Sequence, residues 1–449
     1  MPGPIPGHMP RNTPGDMRSV EEHQRVIAGL IPAQPPARLP LAETHGLVLA
    51  DDVVAPLPLP VFDNSAMDGY AVRAADLTAA RPDAPVRLPV AEDIPAGRTD
   101  LLTLTPGTAH RIMTGAPVPA GADAIVPVEQ TDAGTTVVAV FTAPRPGRHI
   151  RVAGEDVTAG TVVLPAGEVL TPAALGLASA LGIGGLSVLP RQRVLVVSTG
   201  TELVAPGTAL RPGQIYESNA VMLAAAVREA GAAVTGVVTC GDDIAQFRAV
   251  LNDHAGAADV VLTSGGVSAG AYEVVKDAFG PAAGPGDVEF VGEFVEFVKV
   301  AMQPGMPQGA GRLKDGSTII TLPGNPVSAL VSFEVFVRPA LRAAMGLPDP
   351  HRPRRRAALA ETLQSPAGKR QFRRGVYHPD SGTVTSYGPP ASHHLRWLAS
   401  SNCLLEINED ITELAAGEQV LVWDLRSPAN QAPVPLPAPD RPLAALDGP

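Results

Sequence analysis

The feature that most constrains this chain is a regular alternation of short apolar runs and helical segments between residues 190 and 346. "RVLVVSTG" reads as a buried strand, and "NAVMLAAAVREAG" as a helix with Asn219 near its cap and Gly231 at its C-terminal end. "AVTGVVTC" precedes helical "IAQFRAVLNDHA", "DVVLTSGG" precedes helical "YEVVKDAF", and "TIITLPG" precedes "NPVSALVSFEVFVRPALRAAMG". Repeated βα units of this length predict a mostly parallel sheet covered on both faces. The last helix is apolar nearly all round, so it is expected to be buried, with a kink at Pro339. Ligands of such sheets bind outside the carboxyl ends of the strands. Here those ends are "STGTEL" (198–203), "GDD" (241–243), "TSGGVSAG" (263–270) and "LPGNPVS" (322–328). They bring hydroxyls, small residues and the carboxylates Glu202, Asp242 and Asp243 to one edge. Glycine-rich turns close many βα units, so it is the coincidence of four that points to a ligand site.

The remaining sequence sets the frame. A chain of 449 residues is too long for one core, and predicts three or four domains. Residues 57–149 read as a β-rich module with strands such as "VRLPV", "AHRIM", "AIVPV" and "TTVVAVF". Residues 354–427 show short strands that predict a small β-barrel, after a basic "HRPRRRAAL" that reads as a solvated segment opening a domain. The proline-rich stretches 1–17 and 428–449 are expected to be disordered tails. A net charge of −11 argues against nucleic acid or an anionic membrane as partner, so an anionic ligand must be met by local cations. Cys240 and Cys403 lie far apart, which suggests neither a disulfide framework nor a zinc site and fits a reducing cytoplasm. No signal peptide is read at the N-terminus, and the most apolar stretch, 162–189, is broken by prolines and glycines and is not a membrane span. Adjacent His393 and His394 would face opposite sides of a strand, so a metal pair is not expected.

One segment resists a purely structural reading. In "FDNSAMDGYAV", Asp63, Asn64 and Ser65 suit a tight turn and Gly69 a second bend, but Asp68 sits where a carboxylate could face a ligand.

Together these motifs resemble the molybdopterin molybdenumtransferase family, the MoeA and gephyrin E-domain type. The resemblance runs from about residue 20 to 427 and follows the family's order: "FDNSAMDGYAV", "RIMTGAPVPAGADAIVPVEQ", "IRVAGEDV", "VSTGTEL", "GQIYESN", "SGGVSAG", "KVAMQPGMP" and "LPGNPVSALVSF". It implies a multidomain α/β homodimer. Residues 18–56 and 150–189 would form a split N-terminal domain around the insertion 57–149, followed by a molybdopterin-binding α/β domain at 190–347 and a barrel at 348–427. The implied cleft lies between the α/β domain of one subunit and the inserted domain of the other, which would explain Asp68.

The implied reaction takes adenylylated molybdopterin and molybdate, inserts the metal between the dithiolene sulfurs, and releases AMP with magnesium assistance. Asp68, Glu202 and Asp242 match the family's magnesium cluster, and Asp156 and Glu273 match further acidic positions. Thr114 and the run Ser264, Gly265 and Gly266 match positions that hold substrate by hydroxyl and backbone N–H. Arg151, Lys299 and Arg374 match basic positions, with Pro323, Pro326, Ser328 and Ser401 completing the implied substrate contacts. Two departures stand out. Where the family often has "KPGKP", this chain has Gln303 and Met306, so two cations for the oxyanion are missing; and Glu273 stands where an aspartate is common. A molybdopterin adenylyltransferase and a non-catalytic scaffold of the gephyrin type are the rival readings. The adenylyltransferase and molybdoenzymes that accept the finished cofactor are the implied partners.

Overall fold

The computed structural model describes residues 17–266, 274–279 and 292–426, and divides into two compact units, residues 37–188 and residues 1–36 with 189–449. Both proline-rich tails, save Met17, lie outside the described residues, as does Glu273.

The unit 37–188 contains a five-stranded sheet of β1 (Gly69–Val72), β2 (Val86–Ile94), β3 (Ala109–Ile112), β4 (Ala124–Pro127) and β5 (Val137–Val140), in the order β4-β1-β3-β2-β5. Alternation of side chains gives each face its own core. Tyr70 and Val72 pack with Leu77, Leu88, Val126 and Val138, whereas Ala71 packs with Ile94, Ile112 and Ile125. Gly69 does not make the expected bend. It lies within β1, where a Cβ would stand 2.0 Å from the Val126 carbonyl oxygen, so the close approach of β4 requires glycine. Elsewhere in this unit Ala37–Pro40 pairs with residues 185–188, and Val53–Val54 with Val162–Leu164, around Leu47, Leu49, Leu170 and Leu186.

The second unit is built on a six-stranded sheet: β6 (Arg193–Thr199), β7 (Ala233–Cys240), β8 (Val260–Ser264), β9 (Gly292–Lys299), β10 (Pro307–Leu313) and β11 (Thr318–Leu322). Its order is β7-β6-β8-β11-β10-β9; the first four strands are parallel and the last two antiparallel. Helix α1 (Val20–Leu30) packs here, with Val20 and Ile27 in the sheet's core and His23 edge-on to Phe336 at 4.7 Å. The resemblance placed these residues with the split domain. Their apolar stripe instead finds its cover on the helical segments around Phe336. After β6, helix α2 (Asn219–Glu229) leads out to β7; helix α3 (Ile244–His254) then returns the chain across β6 to β8. Strand order therefore reverses between β6 and β8, which is where a ligand crevice is expected. Gly231 ends α2 at φ +98°, as its position after the last helical turn predicted.

The buried helix after β11 is interrupted rather than kinked at its proline. It runs as α4 (Pro326–Ser332), a π turn at Phe333–Val337, and α5 (Arg338–Ala344). Pro339 can donate no hydrogen bond and its ring crowds the preceding turn; the wider turn, closed by Arg338 N–H to the Phe333 carbonyl, accommodates it. The barrel is closed by five strands, β12 (Arg354–Leu359), β13 (Arg370–His378), β14 (Thr383–Ser386), β15 (Cys403–Ile407) and β16 (Gln419–Asp424), in the cyclic order β13-β14-β12-β16-β15. Phe372, Leu404 and Trp423 join the core of the α/β sheet, whereas Leu359, Val384, Leu405 and Val422 fill a separate core inside the barrel. Cys240 and Cys403 are free and buried, and burial pushes their thiols up to about 11 and about 12.

Candidate functional site

A cleft of about 1040 Å³ opens at the carboxyl ends of the parallel strands. Glu202, Asp242, Ser264, Gly265, Gly266, Pro323, Pro326 and Ser328 all line it, so eight of the residues singled out by sequence are brought together. Ser264 is placed by the end of β8, Pro326 and Ser328 by the first turn of α4, and the others by the turns and loops at the strand ends. Asp242, just past β7, accepts from the backbone N–H (3.0 Å) and hydroxyl (2.9 Å) of Thr201, which ties its loop to the one carrying Glu202. Gly265 and Gly266 have φ of +98° and +69°, and a Cβ on either would meet Thr199 or Val275 at 2.8 Å.

The wall is acidic. Glu202, Glu217 and Asp242 line it, and among its described residues there is no lysine or arginine. Gln303 and Met306 do line it, at the positions where the resemblance led one to look for lysines. Three expected donors stand elsewhere. Lys299 ends the far edge strand β9 and is exposed. Arg374, on β13, is 4% exposed and donates to the carbonyls of Ala391 (3.1 Å), His394 (3.0 Å) and Pro389. It therefore reaches the cleft only through the loop it holds, whose Ala391 and His393 are wall residues. The Ser401 hydroxyl donates to the Trp397 carbonyl at 2.6 Å, at the end of a short helix. His393 and His394 lie in that loop rather than in a strand, their rings edge-on at 4.3 Å.

Residues that sequence reasoning missed hold the cleft together. Glu217, 5% exposed, accepts at Oε1 from the Ser198 hydroxyl (2.9 Å) and from Ala220 N–H (2.7 Å), capping α2 while gripping the end of β6. Asn219, 9% exposed, donates from Nδ2 to Ser264 Oγ (2.8 Å) and to the Gly324 carbonyl (2.6 Å). One short segment thus clamps the ends of β6 and β8 and the loop after β11. The signal was present in "GQIYESN", which marked a motif without indicating which side chains mattered.

The other expected residues belong to the unit 37–188. Asp68 and Thr114 are both exposed, and Asp68 Oδ1 accepts from Thr114 N–H and hydroxyl, each at 2.7 Å. Those bonds, the backbone one first, hold the Asp68 carboxyl below the usual carboxylate range. Asn64 and Ser65 are buried and pair with Ile150–Arg151, which sets exposed Arg151 opposite Asn64. Asp156 is exposed, its backbone N–H bonded to the Leu59 carbonyl. Among the described residues no three His, Cys, Asp or Glu side chains gather as metal ligands.

Comparison with known proteins agrees along the whole described chain. Three family models match: "MoeA N-terminal region (domain I and II)" at residues 18–182, "Probable molybdopterin binding domain" at 195–343, and "MoeA C-terminal region (domain IV)" at 356–425. Molybdopterin molybdenumtransferase 2 of Mycobacterium tuberculosis is 68% identical over 409 residues, covering 91% of this chain and all of that one. Molybdopterin molybdenumtransferase of Haemophilus influenzae is 36% identical over 389 residues, 86% of this chain and 92% of that one. A crystal structure of the molybdopterin biosynthesis MoeA protein of Pyrococcus horikoshii superposes with a TM-score of 0.71 at 30% identity, covering 92% of this chain and all of that one. Matched in order, in fold and over nine-tenths of its length, the chain belongs to the MoeA family of molybdopterin molybdenumtransferases.

Proposed function

We propose that this protein works in molybdenum cofactor biosynthesis, inserting molybdate-derived molybdenum into adenylylated molybdopterin and releasing AMP. The observation that carries the reading is the gathering of Glu202, Asp242, Ser264, Gly265, Gly266 and Ser328 around one cleft at the strand ends. The donor set fits a hard divalent cation, because an acidic wall can accept an anionic substrate only with a bridging charge, and carboxylate oxygens suit magnesium. Magnesium held there would supply positive charge to offset that of phosphate oxygens. Glu202 and Asp242 are its proposed ligands from this cleft. Asp68 is proposed as a third, from a second copy of the chain in a homodimer, with Asp156 and Glu273 as further acidic groups.

This chain's own contribution is placement. Ser264 and the glycine turn beside it present a hydroxyl and close backbone to the substrate, and Ser328 adds a second hydroxyl. Thr114 holds Asp68 ionised, and Arg151 is the exposed cation of that unit. The assembly is proposed to act in the cytoplasm, receiving its substrate from a molybdopterin adenylyltransferase and passing product to molybdoenzymes; among the described residues no helix is long and apolar enough to cross a membrane.

The test is to incubate the purified protein with magnesium, adenylylated molybdopterin and molybdate, with tungstate in a parallel arm. AMP should appear in step with metal found in the pterin product. Pyrophosphate release from ATP and molybdopterin, without metal insertion, would instead make it an adenylyltransferase. Neither activity would leave a scaffold.

A further inference from the structure

We propose that Asn219 is a positioning residue: it fixes the Ser264 hydroxyl as a hydrogen-bond donor toward an anionic oxygen of the substrate. The inference rests on the reading above, that the cleft takes adenylylated molybdopterin.

The argument turns on which atoms can donate. A carbonyl oxygen only accepts, so the 2.6 Å contact with the Gly324 carbonyl requires the nitrogen of the Asn219 amide at that position. The same nitrogen lies 2.8 Å from Ser264 Oγ, and both of its hydrogens are then committed. Ser264 Oγ must therefore accept. A hydroxyl has one proton and two acceptor sites, so accepting from Asn219 leaves that proton to be given elsewhere.

Ser264 is 1% exposed and lines the cleft, and among the described residues no acceptor takes its hydroxyl proton. Asn219 Oδ1 is itself buried and without a partner among the described residues, so the two Nδ2 bonds alone set the amide's orientation. In a wall that carries Glu202, Glu217 and Asp242 and no lysine or arginine among its described residues, a hydroxyl held with its proton outward is a scarce resource for an oxyanion. An acceptor at residue 219 would turn the same hydroxyl inward and remove that donor without changing the shape of the site.

Asn219→Asp makes that reversal nearly isosterically. Its ionised carboxylate repels the Gly324 carbonyl and accepts the Ser264 proton; protonating it restores a donor. Steady-state insertion kinetics and equilibrium binding of adenylylated molybdopterin are measured from pH 6 to pH 8 for the parent, Asn219→Asp, Asn219→Ala, Ser264→Ala and the double variant Asn219→Ala/Ser264→Ala. Thermal midpoints are recorded for each.

The expected result is a KM raised about tenfold or more by Asn219→Asp wherever its carboxyl is ionised, a larger defect than that of Asn219→Ala, while both alanine variants keep the pH profile of the parent. The double variant should be no worse than Ser264→Ala alone, because both changes remove one donor. Should Asn219→Asp not fold, the alanine cycle decides by the same criterion. Additive losses in the alanine cycle, or a folded Asn219→Asp with the parent's KM at pH 8, overturn the positioning role. A parent that neither binds the adenylylated substrate nor releases AMP overturns both this inference and the functional reading beneath it.

Discussion

The two places where this chain holds a carboxylate for use differ in how the rest of the molecule supports them. At the cleft, Glu217 is buried, and its two bonds join the end of β6 to the first turn of α2. In the unit 37–188, Asp68 is exposed, and its two bonds both go to Thr114. The first carboxylate is part of what keeps the sheet edge assembled; the second is presented on an edge that would stand without it. Burial is the difference, because an unmet polar group costs far more inside the protein than at its surface.

The largest effect should therefore come from Glu217→Ala. It leaves the buried Ser198 hydroxyl and the Ala220 N–H without their acceptor, and should cost about 2–4 kcal/mol of stability. Urea unfolding should show the midpoint fall with an unchanged slope. A variant as stable as the parent would mean that the clamp is dispensable.

Asp68→Asn should show the opposite profile. Loss of one charge-assisted contact in the substrate complex amounts to roughly 1.5–3 kcal/mol, or roughly tenfold to more than a hundredfold in insertion rate. The thermal midpoint should hardly move. If AMP release ran at the parent rate, Asp68 would serve only its own turn, and the contrast between the two carboxylates would collapse.

Some of this contrast was legible in the sequence and some was not, for reasons that differ residue by residue. Alternating apolar runs fixed the parallel strands, because a strand buried on both faces has few alternatives, and glycines at the strand ends marked the edge where ligands bind. Burial within that edge was not legible. "ESN" has the composition of a polar turn, and nothing in it says that Glu217 and Asn219 point inward to join three strand ends. What the cations reach was not legible for the converse reason. Lys299 and Arg374 stand at matching positions along the chain, but Lys299 falls on the far edge strand and the Arg374 donors go to three loop carbonyls. Sequence order constrains the backbone; which polar atoms are already taken depends on packing between segments far apart in the chain.

The missing cations give a mid-sized test. Gln303 and Met306 line the cleft; Gln303 brings no charge and Met306 only a weak thioether acceptor. The double change Gln303→Lys and Met306→Lys should lower the molybdate concentration for half-maximal insertion by about tenfold for each 1.4 kcal/mol regained. Gln303 is exposed, and screening by salt should reduce the gain at higher ionic strength. Identical titration curves for parent and variant would show that charge is supplied from outside this wall.

The smallest effect sharpens the comparison from the exposed side. The Asp68 carboxyl is held below its ordinary value of 3.8 first by the Thr114 backbone N–H and then by its hydroxyl. Thr114→Val removes only the hydroxyl, so the carboxyl pKa should rise part of the way back, as read from the pH dependence of its carbon chemical shift. The sign follows from the direction of the shift. A depressed folded pKa contributes stability that is fully present above the unfolded value and is lost as pH falls through the folded one, so parent and variant should differ only in acid. At neutral pH the thermal midpoints should nearly coincide, since solvent screens an exposed carboxylate. A pKa unchanged by the substitution would leave the backbone bond as the whole cause. A large drop in stability at neutral pH would show that this exposed pair holds its unit together in the way Glu217 holds the cleft.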